Sequence, residues 1–335
     1  MKLPAGKVPA SILEDIVFKN LGVKHKEVAV GPAFGIDGAV VNVGNRSLVI
    51  SSDPITGALG KIGWLAVNIN SNDISTFGVE PSFFLSCILL PEDTDTRTVE
   101  SISTQMGEAA TNLGMAIVGG HCEVTPGLSN PIVVGCALGV TEKDNYVTAD
   151  NAKKGDKLIL TKSAGIEGTA ILASDREQQL RKVLNAKIID NAKEFYNLIS
   201  VVKEAIIAYK TGGVDAMHDP TEGGIVGGIH EIAEASGLGV KVVEERIRIQ
   251  PETNEICKYF QIDPLQLIGS GALLIAAKPQ YAEEIVKKLQ AERVDAAVVG
   301  EFQEDRAECR ILRKTGQTEP LPKPISDHLW TALLR

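Results

Sequence analysis

Apolar and polar positions along this chain fall into two periods. Residues 47–52 (SLVISS) and 82–90 (SFFLSCILL) are short β-branched and apolar runs that predict strands. The second run is so nearly all-apolar that burial on both faces is expected. Between them, residues 64–81 read WLAVNINSNDISTFGVEP. Leu65, Ala66, Ile69 and Ile74 recur at helical spacing, yet Asn68, Asn70, Asn72 and Asp73 crowd the same turns. Asn and Asp are poor helix-interior residues because their short side chains compete for backbone hydrogen bonds. A single Asn there would read as a solvated face. N-x-N-x-N-D before a Gly78-x-x-Pro81 stop reads instead as a polar ligand site, with Asp73 a metal-binding carboxylate and Asn70 and Asn72 contacting the ligand.

The remaining pattern alternates strands and helices. A helix is expected at 11–21, a Gly-rich turn carrying Asp37 before a strand reaching 43, and a helix from 94 to about 113. A short strand at 115–118 should run into a Gly119-Gly120-His121-Cys122-Glu123 loop, followed by a strand at 131–140. The charged, turn-rich segment TEKDNYVTADNAKKGD (141–156) separates the halves, giving expected domains of 1–145 and 153–335. The second half should hold strands at 157–161, 238–243, 272–277, 295–300 and 308–313, with helices at 170–210, 229–236, 252–260, 279–291 and 326–333. Such alternation predicts a two-domain α/β or α+β fold.

At 335 residues the chain is long enough for two average domains. A net charge of −9 argues against nucleic-acid backbones as the main partner, and 4% aromatics argue against a base-stacking platform. Clustered carboxylates can still hold a phosphate through Mg²⁺. No apolar run long enough for a signal peptide or membrane span is found, so the cytoplasm is the expected compartment and no membrane partner is expected. Five cysteines without C-x-x-C spacing fit reduced thiols rather than a disulfide frame or zinc site.

Acidic residues recur at strand ends or beside Gly turns: Asp37 in GIDGAV, Asp53 in SSDP, Asp73 in SNDI, Glu123 in GGHCE and Asp219 in HDPTEGG. One such Asp is a turn former; several that can converge suggest a hard-cation site. Glycines at loop positions, among them Gly35, Gly119, Gly120, Gly223 and Gly224, could bring backbone N–H groups to phosphate oxygens. DPTEGG running into a helix adds that helix's dipole, with Thr221 beside it. The commoner nucleotide signatures are missing: GALGKI (57–62) is not a P-loop, and no G-x-G-x-x-G lies between a strand and a helix. His218 is expected in the phosphate loop and His230 on a helix surface.

Taken together, GIDGAVV, SSDP, AVNINSNDISTFGVEP, IVGGHCEV, GIEGTAIL, DAMHDPTEGGIVGGIHEIA and GSGALLIA, in this order, resemble the superfamily of aminoimidazole ribonucleotide synthase, the hydrogenase maturation factor HypE, selenophosphate synthetase and thiamine-monophosphate kinase. The resemblance implies a PurM-like fold, with an N-terminal β-barrel-forming domain at a homodimer interface and a C-terminal α/β domain. It further implies ATP and Mg²⁺ in a cleft between domains, with Asp37, Asp53, Asp73 and Asp219 as metal positions. Asp53, Asp73 and His121 would be the catalytic residues. Gly35, Asn70, Asn72, Gly119, Gly120, Thr221, Gly223 and Gly224 would hold the nucleotide. The shared chemistry is phosphoryl transfer, often to an amide-like oxygen.

Within that superfamily the chain looks closest to HypE, through DAMHDPTEGG and GSGALLIA. It departs in ending TALLR, with its last cysteine at Cys309, where HypE carries a C-terminal Cys. Ile36 stands where many relatives have a second Asp, and His121 where HypE-like proteins usually have Asp. The expected function is therefore Mg²⁺-dependent use of ATP to phosphorylate an amide-type oxygen of an unidentified small-molecule or carrier acceptor, in hydrogenase or metallocentre maturation with a possible maturation-protein partner. The alternatives are a non-catalytic nucleotide-binding dimer serving as scaffold or regulator, and a sugar- or nucleotide-binding protein without phosphoryl chemistry. Residues 175–200 and the 121–130 loop are the expected acceptor contacts.

Overall fold

The computed structural model describes Leu3 and residues 6–334. Each half of the chain builds one seven-stranded sheet. The first contains β1 (Val28–Val30), β2 (Ala39–Val43), β3 (Arg46–Ser51), β4 (Pro54–Ile55), β5 (Pro81–Leu90), β6 (Ala116–Val124) and β7 (Ile132–Glu142), in the order β1-β2-β3-β7-β5-β6 with β4 also on β7. Only β5 and β6 run parallel. The sheet is open within one chain rather than closed into a barrel, and β6 is a free edge with all nine residues exposed. Helix α1 (Ile62–Thr76) and helix α2 (Thr96–Leu113) connect these strands. Asp95 caps α2 by accepting from the Thr98 N–H at 2.9 Å, and Gly114 ends it at φ +69°.

The second sheet contains β8 (Lys157–Thr161), β9 (Val214–His218), β10 (Gly239–Val243), β11 (Leu274–Ala277), β12 (Ala296–Gln303), β13 (Cys309–Leu312) and β14 (Thr318–Pro320). Their order is β14-β13-β10-β12-β8-β11-β9. The helices that matter for the site are α3 (Ile166–Asp175), α4 (Val202–Thr211), α5 (Gly224–Ser236) and α6 (His328–Leu333). Four of the expected elements differ. Residues 11–21 hold only short helical turns, at Ala10–Ile12 and Leu13–Val17. The GGHCE segment lies inside β6 rather than in a loop, because residues 119–124 pair in register with 85–90 of β5. α5 starts at Gly224, earlier than 229. β5 is covered on one face only, leaving Phe83 and Leu85 42% and 37% exposed.

Helix α1 buries every residue except Trp64, polar ones included. Its apolar side chains share one continuous core with Val49, Phe84 and Val133 of the first sheet and with Ile166, Leu172 and Phe260 of the second half. A helix enclosed all round cannot leave its polar groups unpaired without a penalty of about 1–3 kcal/mol each. Ser75 and Thr76 donate back to the carbonyls of Asn72 and Asp73 at 2.7 Å. The three Asn side chains are spoken for in the same way: Asn68 donates to Trp64 O at 2.9 Å, and Asn70 and Asn72 clip other chain segments. Five cysteines are all free.

Candidate functional site

Four chain segments deliver carboxylates to the junction between the halves. Asp37 arrives on the turn before β2, Asp53 between β3 and β4, Asp73 on α1 and Asp219 just beyond β9. The Asp37 turn is seated by Gly35, whose φ of +76° would strain any other residue and whose added Cβ would crowd α5, 3.1 Å from Glu231 O. The Asp53 backbone is fixed by Asn70, whose Oδ1 accepts from the Asp53 N–H at 2.7 Å while its Nδ2 donates to Asp53 O and Ala66 O. Asn72 ties the halves together, accepting from Val201 N–H at 2.8 Å and donating to Ile199 O at 2.9 Å. Both amides are fully buried and fully engaged. They are therefore positioning groups, not the ligand contacts that the sequence suggested.

Three of the carboxylates, Asp53, Asp73 and Asp219, are shifted by burial and by their acidic neighbours. Asp73 is pushed well above the usual carboxylate range by burial, then by Asp219, Asp53 and Asp37, with a hydrogen bond to Ser51 acting the other way. Asp219 is raised likewise by burial and Asp37, partly offset by His218. Asp53 is raised by burial, offset in part by Lys7, with Asp37 and Glu222 adding to the rise. Ser51 Oγ lies 2.6 Å from Asp73 Oδ2 and 2.8 Å from Asp37 O. A hydroxyl carries one proton, so both contacts are hydrogen bonds only when Asp73 supplies the second. Asp219 is 1% exposed and neither of its oxygens has a hydrogen-bond partner among the described residues. A buried, unpaired carboxylate among three others is the donor set a hard divalent cation fits.

Two cations of the chain itself meet this cluster. His218 is buried with Nδ1 2.9 Å from Asp37 Oδ2 and Nε2 2.7 Å from Glu231 Oε2. With a carboxylate at each nitrogen the ring is held doubly protonated: burial works against the charge, and Asp37 and Glu231 outweigh it, raising the pKa well above 6.5. Asp37, His218 and Asp219 offer ligand atoms within 4.8 Å of one another. Because both ring nitrogens already face carboxylates, His218 serves as a fixed countercharge and the acids are left to hold an ion. Burial would raise Glu231, but His218 and Lys7 hold it at about 2. Lys7 reaches in from the N-terminal segment, its Nζ 3.6 Å from Glu231 Oε1 and its N–H donating to Glu222 Oε2 at 3.0 Å. The approach to the acids opposes the Lys7 charge by desolvation, yet Glu231, Asp37, Asp53 and Glu222 together raise its pKa, while 59% of the side chain stays in solvent.

Beside the cluster opens a cavity of about 410 Å³, bordered by Lys7, Asp53, Thr221, Glu222, Glu167 and Ser270 and walled by apolar side chains. Several expected nucleotide contacts stand elsewhere. The Gly223 N–H donates to Asp327 Oδ2 at 2.7 Å and the Gly224 N–H to Thr221 O at 3.1 Å, so these amides brace the loop instead of pointing at a phosphate. A Cβ at Gly224 would lie 2.6 Å from the carbonyls of Leu265 and Leu267, which is why glycine stands there. Gly119, Gly120 and His121 lie on exposed β6, where His121 Nε2 contacts Glu123 Oε2 at 3.0 Å. His121 neither borders the cavity nor perturbs the carboxylates, so the site within one chain does not contain it. His230 is buried, not on a surface, and faces Leu321 O and Pro322 O. Residues 175–200 and 121–130 contribute nothing to the cavity wall. Sequence reasoning passed over Lys7, Glu222, Glu231 and Glu167; only Glu167 leaves a local signal, a lone acid in the apolar run AGIEGTAIL.

Residues 35–141 match the family described as AIR synthase related protein, N-terminal domain, and residues 153–311 its C-terminal domain. A hydrogenase expression/formation protein of Methanocaldococcus jannaschii is 28% identical over 290 residues, covering 85% of this chain and 84% of that one. Carbamoyl dehydratase HypE of Escherichia coli is 27% identical over 281 residues, covering 83% and 80%. A chain of a HypE–HypF complex superimposes with a TM-score of 0.78 at 21% identity over 94% of this chain and all of that one. HypE in complex with ATP does so with a TM-score of 0.73 at 21% identity over 98% of both.

Proposed function

Because the chain belongs to the AIR synthase related protein family, we propose that it is a Mg²⁺-dependent enzyme that uses ATP to phosphorylate an amide-type oxygen of an acceptor, in the maturation of hydrogenase or a related metallocentre. The observation that carries this reading is Asp219, a buried carboxylate with both oxygens unpaired, standing among Asp37, Asp73 and Asp53, the last of which borders the cavity. Support comes from relatives named carbamoyl dehydratase and from a neighbour of the same fold solved with ATP.

In this mechanism Asp37, Asp53, Asp73 and Asp219 would hold a divalent cation, and through it the triphosphate. Magnesium, when bound, neutralises the phosphate charge and polarises the terminal phosphorus. His218 locks Asp37 in place, Asn70 locks Asp53, and Lys7 faces the phosphates from the N-terminal segment. Apolar walls keep water from competing for the phosphoryl group. The functional units are residues 1–145 and 153–335, and the protein works in the cytoplasm. Among the described residues no helix is long and apolar enough to cross a membrane.

The open edge of β6, together with exposed Phe83, Leu85, Ile117 and Val118, supports a homodimer in which two such sheets meet. A second maturation protein is the expected heterologous partner, as a HypE–HypF complex is known for a neighbour of this fold. Calorimetry with Mg·ATP, combined with ADP release, tests the assignment. Binding in the wild type and a loss of ADP release of about 10²-fold or more in folded Asp53→Asn and Asp73→Asn variants are expected. Absence of Mg·ATP binding removes the proposal.

A further inference from the structure

The GGHCE segment has no task in the mechanism above, and its place in the first sheet gives it neighbours that are distant in the chain. His121 on β6 pairs in parallel register with Cys87 on β5. On the other side of β5, Cys87 pairs with Val134 and Leu85 with Cys136 of β7, so the two cysteines are diagonal neighbours on adjacent strands. Partners in register project to the same side of a sheet. Burial alternates along β5 and β7, with Phe84, Ser86, Ile88, Val133 and Ala137 turned to the core. Cys87 and Cys136 belong to the opposite set, and both are half-buried and free. His121 joins them on that outer face with 63% of its side chain exposed.

Cysteine and histidine are scarce here, five of each in 335 residues, yet three of the ten meet at one patch. The face around them is otherwise apolar, with Leu85, Leu89, Leu138 and Val140. Small apolar residues would pack equally well at the cysteine positions, and packing alone gives no reason for an imidazole beside them. Neighbouring strands lie about 4.8 Å apart and diagonal partners about 7–8 Å. A tetrahedral ion with bonds of about 2.3 Å to sulfur and about 2.0–2.1 Å to nitrogen spans such positions. The three ligand atoms are less tightly gathered than those of Asp37, His218 and Asp219, so rotation about χ1 closes the set. The ring is already oriented from behind. His121 Nε2 faces Glu123 Oε2 at 3.0 Å, and the Thr125 hydroxyl donates to Glu123 Oε1 at 2.9 Å. A carboxylate that takes the proton-bearing nitrogen leaves the other as the lone-pair donor, as behind metal-bound histidines.

We propose that Cys87, Cys136 and His121 bind a divalent transition-metal ion of the Zn²⁺ class on the outer face of the first sheet, with Glu123 as the positioning residue behind the imidazole. Two thiol protons leave as the two Sγ–metal bonds form. The neutral imidazole gives the third bond through Nδ1, and water fills the fourth position. No C-x-x-C motif announces the site because its ligands come from three strands. Thiolate and imidazole favour such an ion over Mg²⁺, so this site and the acidic cluster take different metals. The assignment does not depend on phosphoryl transfer from ATP. A second copy against β6, as proposed above, leaves the ligands in place and only slows entry of the ion, so binding is read at equilibrium.

The test titrates full-length protein, reduced and stripped of metal, with CoCl₂. One Co²⁺ per chain should produce a sulfur-to-cobalt charge-transfer band together with the intense visible bands of a tetrahedral site, and ZnCl₂ should remove both by displacement. Co²⁺ at the acidic cluster is bound through oxygen and gives no charge-transfer band, so the two sites are told apart. Cys87→Ser and Cys136→Ser should each lower the band and the double variant should abolish it. Cys122 alternates to the other side of β6, so Cys122→Ser should keep the band. Glu123→Ala should weaken Co²⁺ about 10-fold or more, and His121→Gln at least as much. The site is overturned when the wild type shows no charge-transfer band, when Zn²⁺ does not displace it, or when the double serine variant retains it. Loss of the band in Cys122→Ser, or unchanged affinity in His121→Gln, overturns it equally. The wild-type titration stands even where a serine variant does not fold.

Discussion

Glu167→Gln should change how folding stability depends on pH, and the size of the change follows from burial of a carboxylate that is 4% exposed, with no partner for Oε2 among the described residues. The group moves from an ordinary 4.5 to about 7 in the folded protein. Below 4.5 the acid is protonated in both folded and unfolded chains and contributes no difference. Between 4.5 and about 7 the unfolded chain ionises while the folded one keeps its proton, so stability falls as pH rises. Above about 7 the full penalty is present, on the order of 3 kcal/mol at about 1.4 kcal/mol per pH unit. Glutamine does not titrate. Its amide brings an unpaired N–H worth about 1–3 kcal/mol, but that cost is the same at every pH and cancels in the comparison. Neighbouring Asp327, itself raised to about 6 by burial, loses a like charge in the variant and moves the result in the same direction. Urea denaturation of both proteins at about pH 5 and about pH 8, without metal or nucleotide, reads the difference. The variant should gain on the wild type by roughly 3 kcal/mol between the two conditions. A difference that stays flat with pH, or shrinks toward alkaline pH, refutes a buried unpaired carboxylate at this position.

Asp219→Asn should raise the melting temperature of the metal-free protein, because it removes a buried unpaired charge, and should abolish the further rise produced by Mg²⁺; thermal shifts with and without the ion measure both. Asn72→Ala strands Val201 N–H and Ile199 O, so equilibrium denaturation should show a loss of about 2–4 kcal/mol. Lys7→Met removes an ammonium that sits against the same carboxylates as the ion, so calorimetry with MgCl₂ alone should find tighter binding than in the wild type.

Much of the architecture was legible because it depends on local rules. Strand runs such as 157–161 and the helix expected from 94 to about 113 need only periodicity and local signals. The four Asp were legible as a group because each stands at a strand end or in a polar-laden helix, where side chains can converge. What escaped depends on partners distant in sequence. Asn70 and Asn72 look like ligand contacts until Asp53, Ile199 and Val201 are brought beside them. The glycines of DPTEGG resemble a phosphate cradle until Asp327, 104 residues away, takes the Gly223 amide. GGHCE reads as a loop because its two glycines suggest a turn. In the fold, Gly120 adopts φ +152° with Ser86 O only 2.1 Å from where a Cβ would stand, so a strand is what requires glycine there. Lys7 carried no signal, since one lysine near an N-terminus is ordinary on any surface.

The apolar interior that runs from α1 into α3 without a break has a bearing on how the gene can be cut. A fragment beginning after residue 150 would open Ile166, Leu172 and Phe260 to water, and one ending there would do the same to Leu65 and Ile74. Neither piece has a surface of its own where they meet, so co-expressed halves should be recovered together or not at all.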